Sequence, residues 1–586
     1  MYHPRVMIKI TLKTFLLIIV TVTAGLSCIG HAQPSATTGA QASRLPSWNF
    51  MSAFSKRDAC APVQTALTGE WVGNSEPSGR SEFLHLSLTE NAGEMLKPLK
   101  GKLSLVQLEG SRVRIEMSSI KLVMIGTLTG DEIEGEAEIP GTKARFHLVR
   151  TVKVASDILA RYVGAYRFRN GDYILIDRFP NTQDTLWVTD VKSGQTRTIF
   201  PRSETQFTGG PALYVASPTR QTLTFRDGGV DVRDLDLKGR EKGAFAARVP
   251  IRQEEVTFKN GDVTLAGTLL LPEAKGKRSV TGAQPSRLLR PALVFVHGSG
   301  PQSREMYWGL GYLYAARGFA VLAYDKRGVG KSTGNWREAT FQDFADDAVA
   351  GARFLQARND IAANQIGFWG QSQGGWIAPL AASRLPEAAF AVALSGGGLS
   401  PADTELFDSE YELSKAGYTA KEIGDALAWQ KLKNEIIASP TANDKWDEYT
   451  KLRLTAKDAK WFRQPGIDIY GAEKRDDPFW TFMRRSYSYD PAPALRGSKA
   501  PLLAIFGELD TPKGVEAQVR AIKQIMEQAG RRDYIVKVYP NGSHNLMEVP
   551  TDNPNEWVRL KRFPPGIFEE MVDWATRQVR AAKQRP

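Results

Sequence analysis

The 586-residue sequence predicts an α/β domain built on a mostly parallel sheet, preceded by an all-β region and interrupted by a helical insertion. Three observations carry this. Residues 57–250 hold short alternating segments divided by Gly- and Asp-containing turns, the period-2 pattern of antiparallel sheet. From residue 253, nearly continuous apolar runs alternate with helical stretches, as in a parallel sheet covered on both faces. Residues 400–497 break that rhythm with helical sequence rich in Trp and Phe.

The first 32 residues read as an export signal. Arg5, Lys9 and Lys13 precede an apolar stretch over 14–27, and Gly30-His31-Ala32 offers small residues for cleavage before Gln33. The apolar run is shorter than the ~20 residues a spanning helix needs, so cleavage is expected rather than anchoring. Lipidation at Cys28 is the weaker reading, because Gly25 stands where such signals usually carry Leu. No later segment is apolar enough to span a bilayer, and an exported, periplasmic or secreted protein is expected. Loss of the signal takes the net charge from +12 to +9 and leaves Cys60 as the one cysteine, so no internal disulfide is expected. The basic residues are scattered among 64 acidic ones, which argues against nucleic acid as a partner. The six histidines cluster neither with one another nor with a cysteine, which argues against a His- or Cys-based zinc site.

Residues 33–56, rich in Gln, Ser, Thr, Ala and Pro, read as a flexible linker. Two β-modules follow, over 57–152 and 153–250. Strands are expected at 81–88, 111–117, 120–128 and 144–150 in the first, and at 173–179, 185–191 and 222–226 in the second. A hairpin over 254–271 turns at Asn260-Gly261-Asp262. The catalytic domain is expected over 251–399 and 498–586, with strands at 292–297, 319–324, 365–370, 389–395, 501–506 and 534–539. The 400–497 insertion would then lie as a cap over the C-terminal edge of the sheet. Its aromatics, Trp429, Trp446, Trp461, Phe462, Trp480 and Phe482, are expected mainly to pack the cap's own core; lining an acyl pocket is the alternative.

The sharpest chemical feature is Gly370-Gln371-Ser372-Gln373-Gly374-Gly375, a G-x-S-x-G pattern after an apolar strand and before a helical stretch. Its glycines allow a sharp turn and a closely packed helix, and Ser372 is expected in a strained conformation with its hydroxyl presented to a cleft. A serine nucleophile needs a base. Of the histidines left after cleavage, His85 and His147 fall in predicted strands, and His297 precedes a Gly-rich loop as a structural residue. His544, in the turn after the last strand, is the expected base. Asp510, just past the end of strand 501–506, is expected to orient it, ahead of Glu508. The oxyanion would be held by the Gln373 amide and by Ser299, with Gly300 as an alternative.

Other signals weigh less. Gly330-Lys331-Ser332-Thr333 resembles the end of a phosphate loop, but Asp325 stands where that loop needs Gly. The 324–330 segment is expected to form a turn tied by Asp325 and Arg327. The pairs Asp346-Asp347 and Asp476-Asp477 are expected to be solvated.

Residues 253–582 resemble the α/β-hydrolase superfamily. The motifs that carry this are HGSGP (297–301), YDKRGVGKS (324–332), GQSQGG (370–375) and the closing GELD and GSHN segments. They look like those of bacterial secreted serine esterases near the dienelactone hydrolase and acyl-CoA thioesterase-like group. Prolyl oligopeptidase-like peptidases share much of the pattern. The resemblance implies a Ser372, Asp510, His544 triad acting through an acyl-enzyme on a small-molecule or acylated substrate, without cofactor or metal. A serine peptidase, or a binding protein acting through its β-modules, are the competing readings.

Overall fold

The computed structural model describes residues 67–76, 81–178, 185–235, 241–273, 289–439, 443–464, 474–549 and 559–584. The expected export signal, the linker and Cys60 lie outside the described residues, as do residues 465–473 of the insertion.

Nine antiparallel strands, Gly69–Ser75 (β1), Glu82–Leu88 (β2), Gly93–Lys97 (β3), Gly101–Lys102 (β4), Leu105–Glu109 (β5), Arg112–Met117 (β6), Leu122–Thr129 (β7), Glu132–Ile139 (β8) and Thr142–Thr151 (β9), form one sheet in the order β4-β3-β2-β1-β9-β8-β7-β6-β5. Its two edge strands, Gly101–Lys102 and Leu105–Glu109, are consecutive in the chain, so the sheet curls back on itself as a half-barrel. Alternation drives this: Val113, Ile115 and Met117 of Arg112–Met117 point inward, and Trp71, Leu86, Ile133 and Leu148 complete the core. Eight more strands, from Gly164–Phe168 to Glu241–Arg248 (β10–β17), close into a barrel, the first pairing with the last. The helix Ser156–Tyr162 precedes the barrel; its Leu159 joins the barrel core, and Tyr162 stacks on Phe225 at 3.8 Å.

The third sheet comprises Ile251–Asn260 (β18), Val263–Pro272 (β19), Arg290–Val296 (β20), Ala320–Tyr324 (β21), Ile361–Gln371 (β22), Phe390–Leu394 (β23), Leu502–Gly507 (β24) and Tyr534–Tyr539 (β25), in the order β18-β19-β21-β20-β22-β23-β24-β25. The β18–β19 hairpin pairs antiparallel with β21, and every pairing beyond that is parallel. Helices Phe341–Gln356, Gln373–Arg384 and Pro512–Gln528 cover one face, and Trp308–Ala316 and Ile567–Ala582 the other. Burial on both faces is why these strands read as unbroken apolar runs.

The barrel packs against the second of those faces. Its Leu175 and Val188 share one core with Phe295, Leu313 and Ile567 of the α/β domain. Asp177 of the barrel accepts a hydrogen bond from the Gly309 amide at 2.8 Å, satisfying a free N–H at the start of helix Trp308–Ala316.

Helices Pro401–Lys415, Ala420–Ala438, Asn443–Ala456 and Pro478–Tyr487 make up the insertion. Trp429, Trp461, Phe462 and Trp480 are buried in its own core, where Trp429 stacks on Tyr449 at 4.6 Å; Phe482 stays exposed beside Trp336. The insertion touches the loop after β24 through Asp408 and Thr511, and the loop after β21 through Arg485 and the Arg337 carbonyl. It therefore bridges the C-terminal ends of the strands between them, β20, β22 and β23.

Candidate active site

Strand β22 ends at Gln371, and helix Gln373–Arg384 begins two residues later. Ser372, between them, has φ 57° and ψ −122°, a conformation that costs an L-residue energy and must be held by its surroundings. The glycines make it possible. A Cβ on Gly370 would come within 2.1 Å of the Gly374 carbonyl oxygen, and one on Gly374 within 2.6 Å of the Val296 oxygen. The Ser372 amide is anchored to Leu394 O at 2.9 Å. Because the helix starts at Gln373, that residue's N–H is among the unpaired amides of the helix N-terminus.

Asp510 and His544 meet. His544 Nδ1 donates to Asp510 Oδ2 at 2.9 Å. Glu508 serves the turn instead: its Oε2 accepts from the Asn541 amide at 3.1 Å. Two groups beside the elbow grip the His544 carbonyl, Ser395 Oγ at 2.8 Å and Gln371 Nε2 at 3.3 Å. Among the described residues the Ser372 hydroxyl has no hydrogen bond to His544, whose Nδ1 is held by Asp510. The carboxylate of Asp510, and beyond it that of Asp408, push the His544 pKa up to about 9 against the effect of burial. The side chain is nonetheless 46% exposed, so water moderates that push.

Asp408 reaches in from the insertion and accepts the Thr511 hydroxyl, next to Asp510. Burial, then the charge of Asp510, push its carboxyl up to about 7. Neither Asp408 nor Ser395 carries a sequence signal; only the folded chain brings them to the site.

His297 is buried, and its Nε2 hydrogen-bonds to the Tyr324 carbonyl at 2.5 Å. Burial and the nearby Lys326 charge lower its pKa to about 3, so it is a neutral brace between β20 and β21. In the following loop, the Gly298 amide is occupied by Gln302 Oε1 at 2.8 Å. A Cβ on Gly374 would also lie 3.0 Å from the His297 carbonyl, so this loop runs directly against the elbow that carries Gln373.

Two expectations are corrected. Asp325 does not pair with Arg327. It holds Arg304 at 2.8 Å and accepts the Lys331 amide at 2.9 Å, so the 328–333 turn is built around a carboxylate rather than a phosphate cradle. Arg327 instead holds Asp347 at 2.7 Å, and Asp347 is buried rather than solvated. Both residues lie past the end of β21, outside the ladder, and the helix Phe341–Gln356 supplies the partner of Arg327.

Among the described residues, one His and acidic cluster has metal-ligand spacing. In it Glu132 and Glu134 flank His147 on the half-barrel, remote in sequence from the elbow and the Asp510–His544 pair.

These features coincide with a family match. Residues 293–560 match the Alpha/beta hydrolase family. The C-terminal part of the chain is therefore an alpha/beta hydrolase domain, and its general activity is that of a hydrolase. A comparison with curated proteins returns no match. Similar solved structures include an esterase from Pyrococcus furiosus, at 18% identity over 57% of this chain and 91% of that one, with a TM-score of 0.32. A dienelactone hydrolase from Anabaena variabilis matches at 16% identity over 56% and 98%, TM-score 0.30. A proline iminopeptidase-related protein from Thermus thermophilus matches at 18% over 56% and 99%, TM-score 0.33.

Proposed function

We propose that this protein is an exported serine hydrolase that cleaves carboxylic esters through an acyl-enzyme. The observation that carries the reading is the 2.9 Å His544–Asp510 pair on a turn whose carbonyl is bonded to residues flanking the strained Ser372. A carboxylate on Nδ1 fixes the tautomer that leaves Nε2 free to accept a proton.

In this mechanism His544 Nε2 takes the proton from Ser372 Oγ as the oxygen adds to the ester carbonyl. The oxyanion is held by the amides of Gln373 and of the 297–301 loop. Collapse expels the alcohol, which leaves with the proton from His544. Water, deprotonated by the same imidazole, then releases the acid and frees Ser372. The bridging insertion would wall the substrate's acyl side.

The test pairs a ladder of p-nitrophenyl esters, acetate to palmitate, with aminoacyl and prolyl p-nitroanilides, followed by phosphonate labelling. Ester turnover with the label on Ser372 is expected. Faster anilide turnover would make the protein a peptidase, and no turnover with no label would overturn the hydrolase mechanism. Export is tested by fractionation: mature protein beginning at Gln33 in the periplasm or medium is expected, and an uncleaved cytoplasmic chain would reject it.

A further inference from the structure

The mechanism above leaves one buried charge at the site unused. Lys326 is 2% exposed. Its Nζ donates to the Gly298 carbonyl at 2.8 Å and to Gln373 Oε1 at 2.6 Å, and lies 4.4 Å from the centre of the Phe344 ring. Among the described residues it forms no ion pair; the nearby Asp347 is committed to Arg327 and Asn260. Burial pushes its pKa down to about 7, so holding the ammonium there is costly, and an apolar side chain could occupy the same space without that cost.

The two oxygens it binds are informative. The Gly298 carbonyl belongs to the same peptide unit as the Ser299 N–H. A cation on that oxygen draws electron density through the amide and makes the N–H a stronger donor. The other oxygen is the side chain of Gln373, whose own N–H opens the helix behind Ser372. One ammonium thus ties together the two loops from which the oxyanion donors come.

We propose that Lys326 positions and polarises the oxyanion hole, and that Ser299 rather than Gly300 supplies its second donor. The proposal rests on the serine hydrolase reading. Lys326 is a positioning residue: two carbonyl oxygens and an aromatic face surround its ammonium, so it acts through the amides and not on substrate.

The test is Lys326→Met, which keeps the apolar stem over Phe344 and removes the donors. For a p-nitrophenyl ester, kcat should fall roughly 10²-fold, as for loss of an oxyanion donor, with KM changed by no more than about twofold. Affinity for a trifluoromethyl ketone should fall by a similar factor, because Ser372 Oγ adds to its carbonyl carbon, the proton passes to His544 and the new oxyanion needs the same donors. Lys326→Gln, a neutral donor, should recover part of the loss. Wild-type kcat and ketone affinity in Lys326→Met would overturn the proposal. If that variant does not fold, Gln373→Ala removes the anchor at a partly exposed position, and roughly tenfold lower kcat is expected; an unchanged kcat would overturn it. A wild-type protein inert to esters and unlabelled at Ser372 would instead overturn the hydrolase reading itself.

Discussion

The half-barrel and the α/β domain each set a histidine against carboxylates, to different ends. His147 lies within a regular ladder, directly opposite Glu134, with Glu132 at 2.8 Å and Glu134 at 2.9 Å from its two ring nitrogens. Both nitrogens are committed, and the nearest backbone is ordinary strand. His544 sits on a turn, with one nitrogen on Asp510 and the other unpaired among the described residues, near a serine held at positive φ. A close imidazole–carboxylate pair is therefore not in itself a catalytic device. What separates the two is a ring nitrogen without a partner among the described residues and the strained Ser372 close by, the nucleophile of the proposed mechanism.

The sharpest way to break this comparison is to remove each reactive group in turn. Ser372→Ala should lower kcat about 10⁶-fold, while His147→Ala should leave it within about twofold. Ester turnover in both variants measures this, and comparable losses would erase the distinction. Asp510→Asn should cost about 10⁴-fold by releasing the wrong tautomer, read from kcat at a pH where wild type is fully active.

The contrast in stability runs the other way. Trp71→Ala, in the half-barrel core, should destabilise that region by roughly 3–5 kcal/mol in urea melts while kcat stays near wild type. A matching loss of activity would mean that the half-barrel supports the site.

The pH profile sharpens the comparison further. Asp510 and Asp408 raise the pKa of His544, so kcat/KM should climb with pH well above the ordinary imidazole value, through a limb lying between that value and about 9. Asp408→Asn removes one raising charge, and the limb should move to lower pH. A limb that stays in place would show that Asp408 does not reach the imidazole.

The smallest effect belongs to Glu70, whose carboxyl is held low chiefly by its hydrogen bond to His85 at 2.8 Å. A lowered carboxylate pKa stabilises the fold above its unfolded value and loses that contribution as pH falls through the folded one. Glu70→Gln should therefore cost under about 1 kcal/mol near pH 7, and nothing at a pH where both states are protonated, as followed by thermal melts.

Much of the candidate site was legible because its signals are local. Residues 370–375, set between an apolar run and a helical stretch, predict a strand, a sharp turn and a tightly packed helix. Asp510 could be preferred over Glu508 because two residues of extra reach past a strand end are visible in the sequence. Strands such as Arg112–Met117 announced themselves by alternation. Glu132–Ile139 alternates as well, but Gly135 and Ala137 on its inward face and glutamates on its outward face are all poor strand formers, which makes its signal faint.

The sequence alone determined the sheet class and the elbow, since periodicity and glycine sterics act over a few residues. Only the tertiary structure decided which charges meet. Asp325 went to Arg304 and Arg327 to Asp347, because strand order and helix packing, not spacing, choose partners some 20 residues away. The same holds for Lys326, which reads as one basic residue in a turn. It becomes the tie between two loops only because β21, beside β20 in the sheet, delivers it to Gly298 and, from β22 beyond, to Gln373.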